Sequence, residues 1–290
     1  MTNAEIKELL DWFLPRKIKT RVLRLGERLR NYCCNDQSLF QKNAELKGLE
    51  AGNRCFILGT GASTNKQDLT LLKDEITIAL AGFFLHKDID VIKPKYYVVN
   101  SVFRLHGKYL DEQKFINWLT AMDETLDDGT IMFMEAGDKP YLDKHNLFRN
   151  KPIYWYQVEY YDEDKITHID LQHLQKPSSA SEVAISIALV LEFDKIYLLG
   201  CDLNCFEKTD AYYFDDERYN KYFETNRAET MEKHGLDNLY QLQGCRKIFY
   251  KYKQLQSLKH NIYNANSNQD TYVDTFPKVP FESLFNKQDH

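Results

Sequence analysis

The stretch that decides the fold is RCFILGTGAST, which occupies residues 54–64. Its first half is apolar and rich in β-formers, so it predicts a short buried strand. Its second half changes abruptly to small residues, with Gly59, Gly61 and Ser63 among them. Glycines after a strand remove Cβ atoms, so backbone N–H groups can approach an anion, and a serine hydroxyl adds a donor. The stretch therefore predicts a strand followed by a turn that forms the floor of an anion or nucleotide site.

This turn matches neither of the standard phosphate loops. It lacks the Lys-Ser/Thr ending of the Walker loop, and the dinucleotide motif GxGxxG would require glycine at position 64, where Thr64 stands. Turns between a strand and a helix also use glycine for steric reasons alone. At this point two interpretations stay open, namely a ligand-binding turn and a turn shaped only by packing.

Outward from this stretch, the pattern alternates between strand and helix. Buried helix-then-strand units of this kind are typical of a parallel sheet that helices cover on both faces. We therefore predict an α/β fold, a Rossmann-like and mostly parallel sheet with helices on both faces, over residues 51–290. Residues 36–53 are interpreted as a connecting segment, and the tail 275–285 as a segment packed by its own Phe and Leu side chains. Strands are predicted at 55–59, 76–82, 96–100, 130–135, 151–158, 195–204 and 261–266, and helices at 111–126, 182–193 and 237–259.

Several further polar residues follow the predicted strands or open a predicted helix. The carboxyl ends of parallel strands share one edge of the sheet, and ligands bind outside that edge. Hydroxyls before a helix also cap its first N–H groups. For Asp202, a cap of the following turn is an alternative role. The predicted nucleotide-binding residues are Gly59, Thr60, Gly61, Ser63, Asn100, Ser179, Ser181, Asp202 and Asn204.

Residues 1–50 are predicted to form a helical extension that is basic and amphipathic. Apolar residues recur every three or four positions from Ile18 to Leu29, and the segment 12–34 holds seven Lys and Arg residues against one Glu. Such a helix suits a peripheral contact with an anionic membrane surface. It equally suits packing on the body of the protein or on a second copy in a homo-oligomer. Both interpretations stay open.

Composition and charge narrow the class of protein. A chain of 290 residues with 43% hydrophobic and 28% charged residues is typical of a folded globular protein. The net charge of -5 gives no reason to expect a nucleic-acid partner. Six cysteines without paired spacing indicate reduced thiols, and no metal site is predicted. With no apolar run near 18 residues and no signal-peptide core, we expect a cytoplasmic protein, peripheral at the inner membrane where the basic helix binds lipid.

Three blocks of sequence, at 54–101, 178–204 and 261–285, carry a resemblance to a known family. In order and spacing they resemble the MptE-like domain of bacterial surface-polysaccharide and flagellin-glycosylation proteins, which is related to bacterial lipo-oligosaccharide sialyltransferases. The resemblance covers roughly residues 45 to 285. It implies a Rossmann-like domain that binds a CMP-linked sugar as substrate, with no metal ion and no other cofactor.

The resemblance also implies roles for single residues. Gly59, Gly61 and Ser63 match the glycine turn of the sialyltransferases, which has Asn and Pro where Thr60 and Ala62 stand here. Other residues of that family's nucleotide site match positions after the later strands and at the start of a helix. The matched positions are Asn100, Ser179 to Ser181, Gly200 and Asp202.

The expected catalytic residues come from the segment after the last of these strands. Tyr212, in the run YYFD with Tyr213 beside it, matches a tyrosine that hydrogen-bonds the departing phosphate in that family. The family has a second such tyrosine, and this sequence has Asn204 at the corresponding position. The sialyltransferase base is a histidine in this region, for which His234 is the candidate. Histidine suits a general base because its pKa lies near working pH.

Together these observations predict a metal-independent glycosyltransferase that is sialyltransferase-like. It would transfer a sialic-acid-like sugar from a CMP donor to a surface glycan, such as lipopolysaccharide or capsule, or to a lipid-linked acceptor. One alternative is diphosphate transfer from ATP to a hydroxymethylpterin, which would need Mg²⁺ and acidic ligands. The other is a non-catalytic protein that binds a nucleotide sugar.

Overall fold

A computed structural model describes six segments of the chain. The predicted basic helix at 12–34 and the residues Asn204, Tyr212, Tyr213 and His234 lie outside these segments. The described residues are 37–100, 112–159, 165–203, 238–259, 261–266 and 271–285.

The core of the fold is a seven-stranded sheet in the order β5-β4-β3-β2-β1-β8-β9, and each strand runs parallel to its neighbours. A separate two-stranded parallel ladder joins β6 and β7. This confirms the predicted α/β class. The strands are β1 (Arg54–Leu58), β2 (Ile76–Leu80), β3 (Tyr96–Val98), β4 (Ile131–Glu135), β5 (Ile153–Tyr156), β6 (Val158–Glu159), β7 (Leu174–Gln175), β8 (Lys195–Leu199) and β9 (Ile262–Asn264).

Helices cover both faces of the sheet because its strands are apolar on both sides. In β1, Cys55 and Ile57 point into the core beneath α4 and α5, whereas Phe56 and Leu58 point into the core beneath α2 and α3. Successive strand residues face opposite sides, so a strand buried on both faces has no polar position. The α-helices of the described segments are α1 (Ile89–Ile92), α2 (Glu112–Thr125), α3 (Lys139–His145), α4 (Ala180–Val190) and α5 (Asn238–Leu258).

Four predicted strands, those at 76–82, 96–100, 195–204 and 261–266, end two or more residues earlier than predicted, and the backbone conformation explains two of these ends. The strand predicted at 76–82 stops at Leu80, because Ala81 adopts a positive φ of 46° and starts a 3₁₀-helix. The strand predicted at 195–204 stops at Leu199, because Gly200 has a φ of 63°. Both residues leave the extended conformation at the carboxyl edge of the sheet. The chain therefore turns there, beside the predicted site.

Two segments interpreted as irregular have more structure than expected. The connecting segment 36–53 contains a 3₁₀-helix at Gln37–Leu46, which Asn43 ties to β5 by donating from Nδ2 to the carbonyl of Trp155 at 2.9 Å. The tail does not pack only on itself. Phe281 packs against Phe56 on one face of the sheet, and Phe276 packs against Tyr252 on the other. The tail therefore runs past the β9 edge and contributes to both cores.

The structure adds one finding on membranes. Within the six described segments, no helix is both long enough and apolar enough to cross a bilayer.

Candidate functional site

The candidate site lies where the order of strands reverses. From β1 the chain adds β2, β3, β4 and β5 on one side, and it then returns to place β8 and β9 on the other side of β1. In open parallel sheets, ligands bind outside the carboxyl ends of the strands that flank such a reversal. Here those strands are β1 and β8, and the segments that follow them are the glycine turn 59–63 and the segment 200–202.

These two segments lie in direct contact. The N–H of Gly59 donates to the carbonyl of Leu199 at 2.7 Å, and the N–H of Gly61 donates to the carbonyl of Gly200 at 2.8 Å. A Cβ added at Gly61 would lie 2.3 Å from Oδ2 of Asp202, and one added at Gly59 would lie 2.3 Å from the carbonyl oxygen of Gly200. The glycines are therefore required by the close approach of the two backbones.

Asp202 holds the glycine turn through both oxygens of its carboxylate. The N–H of Ser63 donates to Oδ2 at 2.9 Å, and the hydroxyl of Ser63 donates to Oδ1 at 2.5 Å. Both side chains are buried. Hydrogen bonds to a buried carboxylate are among the stronger ones in proteins. The Ser63–Asp202 contact thus joins the ends of β1 and β8 and defines the shape of the turn.

Two N–H groups of the turn have no acceptor among the described residues. The N–H groups of Gly59, Gly61 and Ser63 are all used in the contacts just described. Across the part of the chain that the structure describes, the N–H groups of Thr60 and Ala62 donate to no acceptor. Both residues are partly exposed. Backbone N–H groups at the carboxyl end of a parallel strand can bind an anion, so the N–H groups of Thr60 and Ala62 are candidate donors to a phosphate, although the used N–H of Gly61 lies between them.

Two of the predicted serines lie at the first turn of α4. Ser179 caps this helix, with its hydroxyl accepting from the N–H of Glu182 at 3.4 Å, as its sequence position predicts. The hydroxyls of Ser179 and Ser181 are 2.7 Å apart, and Ser181 is 2.6 Å from the hydroxyl of Tyr252. The two serine hydroxyls therefore already have protein partners.

The serines also lie close to the end of β8. Burial raises the pKa of Tyr252, and the negative charge that the nearby Cys201 sulfur carries when it is ionised raises it further. Cys201 immediately precedes Asp202, and burial raises the pKa of its own thiol to about 12. Cys201 is therefore protonated at physiological pH and acts as a small packed side chain. The start of α4 and the segment 200–202 thus adjoin each other through Tyr252 and Cys201.

Glu182 is a buried acid at the same turn. Its Oε2 accepts from the N–H of Ser178 at 2.8 Å, and burial raises its pKa from 4.5 to about 8. Lys251 acts in the opposite direction, because its positive charge lowers that pKa. Glu182 and Lys251 both line a cavity of about 400 Å³ between α4, α5 and residues 165–177. The cavity therefore adjoins the serine cluster at the start of α4.

Asn100 lies two residues beyond the end of β3, at the same carboxyl edge of the sheet. One strand, β2, lies between β3 and β1, which carries the glycine turn. The preceding residue, Val99, accepts a hydrogen bond from the hydroxyl of Tyr156 at 3.0 Å. This contact ties the end of β3 to β5. Of the predicted binding residues that the structure describes, Asn100 is the one separated from the glycine turn by an intervening strand.

Two residues at this edge have polar atoms that sequence reasoning did not single out. The side chain of Asn266, which follows β9, is 3% exposed, and within the described segments neither its Oδ1 nor its Nδ2 has a hydrogen-bond partner. Gln67, which follows the 3₁₀-helix Ala62–Lys66, donates from Nε2 to the carbonyl of Ala265 at 2.7 Å, while its buried Oε1 has no partner there. In the sequence, these two residues are marked only by their position, as polar residues that follow a strand or a turn. No local sequence pattern predicts that β9 lies next to β8.

A metal site is not found among the residues that can be described. In those segments no group of three or more His, Cys, Asp or Glu side chains is arranged to hold a metal ion.

Comparison with known proteins found a similarity to a solved structure but none to a family model or a curated sequence. No family model matches the chain. No curated protein sequence matches it either. Among solved structures, the chain is similar to the sialyltransferase CstII from Campylobacter jejuni, solved in complex with a substrate analogue, cytidine-5'-monophosphate. The similarity covers 79% of this chain and 86% of that one, with 12% sequence identity and a TM-score of 0.44. A likeness of this size carries no residue-level correspondence, so the site described above rests on its own contacts.

Proposed function

We propose that this protein is a metal-independent glycosyltransferase that binds a nucleotide-activated sugar at the carboxyl ends of β1 and β8. The observation that carries the proposal is the glycine turn at the strand-order reversal, where the N–H groups of Thr60 and Ala62 have no acceptor among the described residues. Free N–H groups at this position of a parallel sheet suit the phosphate of a nucleotide. The sequence resemblance to sialyltransferases supports a CMP-linked, sialic-acid-like donor and a glycan or glycolipid acceptor.

In the proposed reaction, an acceptor hydroxyl attacks the anomeric carbon of the donor sugar. The bond from that carbon to the phosphate oxygen breaks as the new glycosidic bond forms, and CMP leaves as a phosphate monoester. His234 takes the proton of the attacking hydroxyl, and Tyr212 hydrogen-bonds the departing phosphate. These two roles derive from the sequence resemblance. Tyr213, directly beside Tyr212, is a further candidate for the contact with the phosphate. A general base at such a position contributes a rate factor of about 10² to 10⁴.

The first experiment measures which nucleotide the protein binds. We expect CMP to raise the melting temperature, and to do so equally in EDTA and in Mg²⁺, because the proposed site uses N–H groups and no metal ion. At 100 times its Kd, a ligand stabilises the folded state by about 2.7 kcal/mol. Stabilisation by ATP that depends on Mg²⁺ would overturn the proposal in favour of diphosphate transfer. Binding of CMP with no transfer from CMP-sialic acid to any glycan or glycolipid acceptor would favour a non-catalytic binding protein.

A second experiment tests the proposed base. We expect His234→Ala to lower the rate of transfer at least 100-fold and to leave the Kd for CMP within about twofold, because the base acts on the acceptor. The control is His145→Ala, in the last turn of α3. This helix packs on the other face of the sheet from α4 and α5 and ends away from the carboxyl edge. An unchanged rate in His234→Ala would exclude His234 as the base.

A further inference from the structure

The strongest unexplained feature of the described segments is the amide pair, which we define as the side chains of Gln67 and Asn266. Three polar atoms of this pair, Oε1 of Gln67 and Oδ1 and Nδ2 of Asn266, are withdrawn from solvent and have no hydrogen-bond partner within those segments. A buried polar group without a partner destabilises the folded protein. A binding role would explain why such groups stand at this edge of the sheet.

Gln67 contacts the chain directly before Asn266 and follows the glycine turn closely in sequence. Gln67 donates to the carbonyl of Ala265, the residue directly before Asn266, at 2.7 Å. Gln67 also follows the 3₁₀-helix that starts at Ala62, immediately after the glycine turn. On the other side, the N–H of Tyr272 donates to the carbonyl of Asp202 at 3.0 Å. The chain segments after β1, β8 and β9 are therefore in contact, and the amide pair lies at this junction.

Loose packing does not account for the unused atoms. Asn264, two residues before Asn266, is fully buried and uses both ends of its amide. Its Nδ2 donates to the carbonyl of Val273 at 2.7 Å, and its Oδ1 accepts from the N–H of Asn266 at 3.0 Å. The backbone of Asn266 is thus held in place by its neighbour. The backbone N–H of Asn266 is therefore satisfied, whereas the two polar atoms of its side chain have no hydrogen-bond partner in the described segments.

The chemistry of the pair suggests a planar ligand. A side-chain amide presents an acceptor beside a donor, and it pairs with a base edge that presents the reverse arrangement. The edge of a cytosine has an amino donor next to a ring-nitrogen acceptor. We propose that Asn266 and Gln67 recognise the base of the nucleotide whose phosphate binds the glycine turn. This inference rests on the proposed function and names the residues that select the base.

The test compares CMP with ribose 5-phosphate, which has the same phosphate and no base. We expect Asn266→Leu and Gln67→Met each to weaken CMP binding at least tenfold in calorimetric titrations, and to leave the Kd for ribose 5-phosphate within twofold of wild type. The matched control is Gln113→Met, the same chemical change at an exposed position of α2, which should bind CMP like the wild type. If one of the two amide variants does not fold, the CMP and ribose 5-phosphate affinities of the other variant are sufficient for the test.

A stability measurement separates a binding role from a structural one. Asn266→Leu should melt at the same temperature as wild type or higher, because it removes unsatisfied groups. Asn264→Ala should melt lower, because it removes two hydrogen bonds made within the protein. CMP affinities within twofold of wild type in both amide variants would overturn the inference and would point to a buried water on Asn266. Equal affinity of the wild type for CMP and ribose 5-phosphate would also overturn it while leaving the proposed function intact. A wild type that binds neither compound would overturn the proposed function as well.

Discussion

The Ser63–Asp202 contact and the amide pair are two polar regions at the same edge of one sheet, and they differ in how their hydrogen bonds are used. In the first region both carboxylate oxygens of Asp202 accept from Ser63. In the second, three amide atoms of Gln67 and Asn266 are buried without partners in the described segments. Satisfied groups build the turn, whereas the unsatisfied groups are the ones that we propose bind the base. The comparison teaches that the residues that shape a turn can be different from those that have unused hydrogen-bonding capacity beside it.

The largest expected effect on stability comes from Glu182, a buried acid at the start of α4. It tests whether a polar group that has a hydrogen-bond partner, like those of the Ser63–Asp202 contact, can still be costly to bury. It accepts from Ser178, yet burial raises its pKa from 4.5 to about 8. As pH rises from 4.5 to about 8, the unfolded chain loses this proton and the folded chain keeps it, so stability falls with rising pH. At about 1.4 kcal/mol per pKa unit, the loss is on the order of 4–5 kcal/mol.

The measurement is urea denaturation of the wild type and of Glu182→Gln between pH 5 and 8. The variant keeps the shape and the acceptor for Ser178 but cannot ionise. We expect similar stability near pH 5 and a variant that is more stable by a few kcal/mol near pH 8. A constant difference between the two proteins across this range would contradict the raised pKa.

Removal of Asp202 tests the satisfied region itself. Asp202→Ala leaves the buried N–H and hydroxyl of Ser63 without their acceptor, so we expect a loss of about 3 kcal/mol in the free energy of unfolding. The matched variant Ser63→Ala removes only the hydroxyl bond and should cost about 1 kcal/mol. Chemical denaturation of both variants measures the difference. Equal losses of unfolding free energy in the two variants would show that the Asp202 carboxylate stabilises the protein no more than its single hydrogen bond with the Ser63 hydroxyl does.

The glycine turn gives the third test, with a smaller expected effect. In Gly61→Ala the new methyl would lie 2.3 Å from Oδ2 of Asp202, so the turn and the segment 200–202 must move apart. Such overpacking costs about 2 kcal/mol. The control is Gly244→Ala in α5, where nothing lies within 4 Å and alanine favours the helix, so stability should rise by up to about 1 kcal/mol. A tolerated Gly61→Ala would mean that the close approach does not require glycine.

Much of the fold could be predicted from local patterns. The strands at Arg54–Leu58 and Ile131–Glu135 and the helices at Glu112–Thr125 and Asn238–Leu258 begin and end within a few residues of their predicted bounds. Their apolar runs and helical spacing are properties of adjacent residues. The ends of β2 and β8 were predicted too late, because a positive φ at Ala81 or Gly200 is not visible in an apolar run. The short helix at Lys139–His145 and the division of 151–158 into β5 and β6 were also missed.

The candidate site could be predicted in part. The sequence by itself determined which residues follow the strands, and so the glycine turn and Asp202 were both expected at one edge of a parallel sheet. Only the tertiary structure decided that β8 lies beside β1 and β9 beside β8, because strand order depends on contacts between residues far apart in the chain. It also decided that Ser63 and Asp202 bind each other, and that the amides of Gln67 and Asn266 are buried unpaired within the described segments. Whether a polar atom has a partner depends on all of its neighbours in space, and a local sequence pattern contains only its neighbours along the chain.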